Sequence, residues 1–184
     1  MKVENIIVFD CETNSLLGAA FAVGAITMDS EGNVLSEFVG RCPIEGPVDP
    51  WVAQNVLPGM QITENFGNGR ELRDTFWAWL QTQRDKAAEK EGRLIVIADN
   101  GYPVEAGFLL ACQRDDFKER EFKGPFPLID CASLQLACGL VPHQIHGEDW
   151  VNIPADQRRK HDPRYDAWVS GLCAIKALKQ LGQM

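Results

Sequence analysis

The chain has 184 residues, 45% of them hydrophobic, and a formal net charge of -8. That length and apolar content predict one globular domain over residues 1–184 with a sizeable core. The charge excludes a generalised phosphate-binding surface, because non-specific nucleic-acid affinity rests on Lys and Arg neutralising phosphates, but it leaves room for a local basic rim and for acids gathered at a metal site.

The start, Met1 to Asn5, precedes only a short apolar run, too short for a signal sequence or a membrane span. The expectation is therefore a soluble, cytoplasmic protein with no membrane partner. The first strand is Ile6-Ile7-Val8-Phe9, an uninterrupted apolar run of the kind covered on both faces, and it ends in Asp10-Cys11-Glu12-Thr13. On a strand, residues i and i+2 share a side, so Asp10 and Glu12 can converge on one point. Ala19 to Met28 and Val34 to Cys42 flank the turn Asp29-Ser30-Glu31-Gly32-Asn33, which makes residues 5–42 a three-stranded antiparallel meander.

Asp49-Pro50 marks the start of a short helix over Trp51 to Pro58. Leu72, Phe76, Trp79, Leu80 and Gln83 recur at helical spacing, with Trp77 off the stripe and Gly92 as the stop. Leu94 to Ala98, ending in Asp99, reads as a second buried strand, followed by the turn Asn100-Gly101-Tyr102 and a helix with Pro103 at its first position and Glu105 in its first turn. Phe117 to Pro127 is a charged link, Leu128 to Asp130 a short strand, and Ser133 to Cys138 a helix closed by Gly139. Val141 to Lys160 shows no periodicity, and such an irregular stretch in a compact domain is usually functional or mobile. Asp162-Pro163 opens a last amphipathic helix carrying Trp168, Leu172, Ile175, Leu178 and Leu181. The order β-β-β-α-β-α-β-α implies an α/β fold, a mixed sheet flanked by helices.

The six cysteines have no zinc-type spacing and read as buried, reduced hydrophobes. His143 and His146 lack a matching acid or thiol cluster and read as loop histidines. Trp51, Trp77 and Trp79 offer aromatic faces for bases, but core or interface packing is the better account of them. Arg158, Arg159, Lys160 and Arg164 form the main basic cluster, read equally as a grip on backbone phosphates or as solvated helix-start charges.

His161 and Asp166 sit at the start of the last helix, where both can face one cleft. Asp10, Glu12, an acid from the Asp99 to Glu105 segment, and Asp166 would make four carboxylates, whose repulsion a divalent cation pair offsets.

Phe9-Asp10-x-Glu12-Thr13, Asn100 to Leu109 and His161-x-x-x-x-Asp166 together resemble the three sequence blocks of the DEDDh 3′–5′ exonucleases. The resemblance implies a ribonuclease H-like fold, two Mg²⁺ or Mn²⁺ ions held by four acids, and His161 as general base. It implies Asp10 as the ligand shared between ions, with Glu12 and Asp166 as further ligands. The third acid of the pattern aligns with Glu105, where relatives carry Asp, and Asp99 at the strand end is the competing candidate. Thr13 and Leu16 are implied contacts to the 3′-terminal nucleotide, although Ser15 replaces a glycine common there. Arg158 and Arg164 are the candidate phosphate contacts. The implied substrates are single-stranded DNA or RNA and short oligonucleotides, and dimers are common among relatives. The alternative is a catalytically weak relative that binds nucleic acid or a protein.

Overall fold

Ile6, Ile7, Val8 and Phe9 are all fully buried, because β1 (Asn5–Thr13) has a strand on each side and a helical layer on each face. In the computed structural model, which describes residues 3–89, 93–141, 147–159 and 161–184, β1 pairs antiparallel with β2 (Ala20–Asp29) and parallel with β4 (Leu94–Ala98). β3 (Val34–Arg41) and the two-residue β5 (Ile129–Asp130) close the edges, giving a mixed sheet in the order β3-β2-β1-β4-β5. This is the α/β, ribonuclease H-like arrangement expected from the sequence. The β2–β3 turn is tied by Asp29, whose Oδ1 accepts the amides of Glu31 and Asn33, both at 2.9 Å, while Gly32 takes a positive φ of 84° that few other residues tolerate.

Alternation along β1 separates two cores. Ile7, Phe9 and Cys11 point into a layer made by α2 (Gly69–Glu89) and α3 (Ala106–Asp115), where they meet Leu72, Phe76, Leu80 and Phe108. Ile6 and Val8 point the other way, to Ile26, Met28 and the apolar side of α7 (Pro163–Gln180), including Cys173, Ala174 and Leu178. Asp10 and Glu12 continue the second set, so both acids face α7.

The helix starts follow the sequence closely. Asp49 Oδ1 accepts the amides of Trp51 (2.8 Å) and Val52 (3.3 Å) to open α1 (Pro50–Asn55), and Asp162 Oδ1 accepts those of Arg164 and Tyr165 to open α7. Trp77 is buried in the α2–α3 core, the packing expected of it, and the guanidinium of Arg120 lies 5.5 Å from its ring. Other expectations are corrected. The helix expected from Pro103 begins instead at Ala106. A single wide turn occupies Gly101–Glu105, with Tyr102 extended inside it (φ -136°, ψ 138°) and the Ala106 amide reaching back to Gly101 O.

The link after α3 contains one turn of helix, α4 (Phe117–Arg120), and α5 (Cys131–Ala137) starts two residues earlier than expected because Asp130 caps it through the Ser133 amide at 2.9 Å. Within Val141 to Lys160 lie the single turn α6 (Gly147–Trp150) and a 3₁₀ turn at Ala155–Gln157, both too short to produce a periodic pattern. The Gly92 stop, Lys160 and the loop histidines His143 and His146 lie outside the described residues. All six cysteines are free, five of them buried. No helix among the described residues is long and apolar enough to cross a membrane.

Candidate metal and active site

Asp10 is paired across the β1–β2 ladder with Gly24, on the face where α7 packs. A Cβ at position 24 would lie 2.3 Å from the Pro163 carbonyl carbon and the Arg164 nitrogen, so the missing side chain is what lets the first turn of α7 settle onto the sheet. That turn carries Asp166, whose amide bonds to Asp162 O at 2.9 Å. Asp10, Glu12 and Asp166 each offer a carboxylate oxygen, and these lie within 4.8 Å of one another.

The electrostatics of this cluster run against ionisation. Burial, then the charges of Asp99, Glu105, Asp166 and Glu12, hold the Asp10 carboxyl well above the ordinary aspartate range. Asp166 is pushed up to about 8, first by burial and then by Asp99 and Glu12. Burial also raises Glu12, against the lowering effect of His161.

The segment between β4 and α3 contributes two more acids. Asp99 follows the last β4 residue and accepts a hydrogen bond from Ser170 Oγ on α7; burial raises its carboxyl, opposed by that bond. Glu105 is 3% exposed. Its Oε1 accepts the Cys11 amide at 3.3 Å, taking the place of a ladder partner that β4, already ended, cannot supply. Its Oε2 is buried with no hydrogen-bond partner, and burial raises its carboxyl to about 8, with Asp99 and Glu12 adding to the shift.

Unpaired buried carboxylates are costly, and an all-oxygen donor set of this kind suits a hard divalent cation such as Mg²⁺ or Mn²⁺. The residues present therefore fit the group that the sequence resemblance implies.

His161 stands beside the cluster with a positive φ of 57°, its Nδ1 3.3 Å from Glu12 Oε1. Its ring meets Trp51 edge to face, 5.9 Å between centroids. A cavity of about 430 Å³ opens here, lined among others by Glu12, Thr13, Leu16, Trp51, Val104 and His161. Leu16 and Trp51 are 68% and 59% exposed, which leaves large apolar surface free at its mouth. The loop that presents Leu16 turns at Ser15, which has φ 83° and whose carbonyl accepts Thr13 Oγ1 at 2.7 Å. A positive φ at this position explains why glycine suits it.

The structure thus brings Asp10, Glu12, Asp166, His161, Thr13 and Leu16 to one end of the sheet, with Glu105 bonded to the β1 backbone at Cys11. Arg158 and Arg164 do not line this cavity. Arg158 bonds to Ile153 O and pairs with Asp149, and Arg164 pairs with Glu37 on β3 at 2.8 Å.

Two neighbours were not expected from the sequence. Trp51 was assigned to packing but stands exposed beside His161. Ser170 lies within the apolar helix pattern, and only its spacing, one helical turn after Asp166, marks it.

No protein-family profile matches the chain, and no characterised protein matches it by sequence. In three dimensions it is similar to exonuclease X in complex with 5′ overhanging duplex DNA, with a TM-score of 0.57 and 14% identity, over 97% of this chain and 94% of that one. It is also similar to the metal-free form of the E. coli ExoI–ssDNA complex, with a TM-score of 0.56 and 15% identity over 96% of this chain and 40% of that one. A third similar structure is exonuclease I in complex with the inhibitor BCBP, with a TM-score of 0.50 and 17% identity over 98% of this chain and 42% of that one. The chain spans about two fifths of the exonuclease I chains and nearly the whole of exonuclease X. At these identities the likeness is one of fold, a mixed α/β sheet shared with nucleic-acid exonucleases.

Proposed function

We propose that this chain is a metal-dependent exonuclease that hydrolyses phosphodiester bonds at the 3′ end of single-stranded or short nucleic acids. The observation that carries the reading is the convergence of Asp10, Glu12 and Asp166 within 4.8 Å, beside His161 and an open cavity. These three acids would hold divalent cations, with a further carboxylate from the 99–105 segment. When bound, the ions supply positive charge to the phosphate oxygens and lower the pKa of the attacking water.

The chain's own groups complete the reaction. Glu12 Oε1 is placed to accept Nδ1–H of His161, which leaves Nε2 as the free base for the water proton. Thr13, Leu16 and Trp51 line the space for the terminal nucleotide, with Leu16 and Trp51 offering apolar surface to a base. Arg158 and Arg164 would reach substrate phosphates only by exchanging their present carboxylate partners. The complexes with DNA described for similar folds support nucleic acid as the partner.

The test is a time course on 5′-labelled, 3′-labelled and 3′-blocked DNA and RNA oligonucleotides with Mn²⁺ or Mg²⁺. Stepwise shortening with release of nucleoside monophosphates, blocked by the 3′ modification, is the expected result. Tight binding without shortening would instead favour a binding module derived from the same fold.

A further inference from the structure

We propose that Asp99, held by Ser170, is the fourth carboxylate of the metal site, and that Glu105 acts as a strut for the end of β1. The proposal rests on the metal-dependent reading above and deepens it. It departs from the sequence alignment, which favours Glu105.

Register places Asp99 first. The last parallel pair is Phe9 with Ala98, and the Asp99 amide donates to Phe9 O at 3.3 Å, so the next step along the two strands sets Asp99 beside Asp10. Neighbouring strands lie roughly 4.8 Å apart, a distance over which two carboxylates can share an ion. The face agrees. Ala98 packs into the α2 and α3 layer and Ile97 into the α7 layer, so Asp99 returns to the side of Asp10 and Glu12.

Ser170 fixes the side chain there. It lies one helical turn after Asp166 on α7, is 5% exposed, and donates its hydroxyl to Asp99 Oδ1. One helix face therefore carries an acid of the cluster and the donor that orients another.

Glu105 is placed differently. It comes from the wide turn at the end of the sheet and directs Oε1 to the Cys11 amide, a backbone group left without a partner where β4 stops. Its remaining oxygen, Oε2, is enclosed and unpartnered. A glutamine at this position keeps the Cys11 bond and removes the charge.

The test is isothermal titration of Mn²⁺ into metal-free protein, which counts ions without depending on turnover. Wild type should bind two ions per chain. D99N should bind one, S170A should bind the second about tenfold more weakly, and E105Q should bind two. D99N should be folded, with a metal-free Tm no lower than wild type, because it removes one of several like charges. Two ions in D99N with one in E105Q would overturn the assignment in favour of Glu105. Two ions in both variants would remove Asp99 from the site and leave the exonuclease reading standing. No Mn²⁺ binding by wild type would overturn both.

Discussion

Asp10 stands directly opposite Gly24 across the β1–β2 ladder, and the space above Gly24 is filled by the backbone of Pro163 and Arg164. The position of Asp166 relative to Asp10 is therefore set by a residue with no side chain. Gly24→Ala should push the first turn of α7 off the sheet, since its Cβ would meet fixed backbone rather than a flexible chain end. The expected cost is about 1–3 kcal/mol, read as a Tm drop of roughly 2–4 °C per kcal/mol for a chain of this size. Mn²⁺ affinity should fall with it. Unchanged Mn²⁺ affinity in this variant would show that α7 can be displaced without moving Asp166.

The Glu12–His161 contact makes a separate prediction. His161→Gln should lower kcat by about 10²–10⁴-fold, the usual range for loss of a positioned general base. It should leave Mn²⁺ stoichiometry at the wild-type value, because His161 is not among the clustered acids. The check is single-turnover kinetics on a labelled oligonucleotide, with Mn²⁺ stoichiometry measured on the same variant. A variant as fast as wild type would remove His161 from the reaction.

The clustered acids predict how stability depends on pH. Asp166 and Glu105 are held at about 8 in the folded chain, against ordinary values of 3.8 and 4.5, chiefly by burial. Asp10 and Glu12 are raised for the same first reason. Each folded value lies above the unfolded one, so the native chain binds more protons through this interval and stability falls as pH rises. Their stabilising contribution is complete below the ordinary carboxylate range and is lost as pH passes through about 8. Metal-free Tm should therefore decline from about pH 5 to about pH 8, while the Tm gain from saturating Mn²⁺ should increase over the same range, because the ion binds ionised carboxylates. Differential scanning calorimetry at fixed ionic strength measures both; a Mn²⁺ gain that shrinks with pH would contradict the placement of the ion at these acids.

Much of this arrangement was legible in the sequence because it rests on local rules. Unbroken apolar runs at Ile6–Phe9 and Leu94–Ala98 identify central strands, strand alternation pairs Asp10 with Glu12, and Asp-Pro pairs at 49–50 and 162–163 mark helix starts. What was not legible depends on contacts between distant segments. The wide turn before α3 has no periodic signature. The partners of Arg158 and Arg164, Asp149 and Glu37, come from other elements, and that pairing decides how free the basic cluster is. Ser170 looks like any small residue on a packed helix until β4 is placed beside it.

Trp51 is the feature that sequence reasoning undervalued, and it is open to direct measurement. It is exposed, lines the cavity and touches the ring of His161. Base–aromatic stacking is worth about 1–3 kcal/mol, so Trp51→Ala should raise KM for a short oligonucleotide by roughly 5- to 150-fold, at about tenfold per 1.4 kcal/mol. Substrate addition should also quench the fluorescence of the wild-type protein more than that of the variant. Equal KM values would place the terminal base elsewhere.

The role proposed for the carboxylates at the end of β1 is metal-dependent trimming from a 3′ end. A 5′-labelled single-stranded oligonucleotide, incubated with Mn²⁺ and either wild type or Asp10→Asn, tests it most directly. A ladder of progressively shorter products is expected with wild type, none when the ion is chelated, and none with the folded variant. A full-length substrate after incubation with wild type and Mn²⁺, or the same ladder from Asp10→Asn, would contradict it.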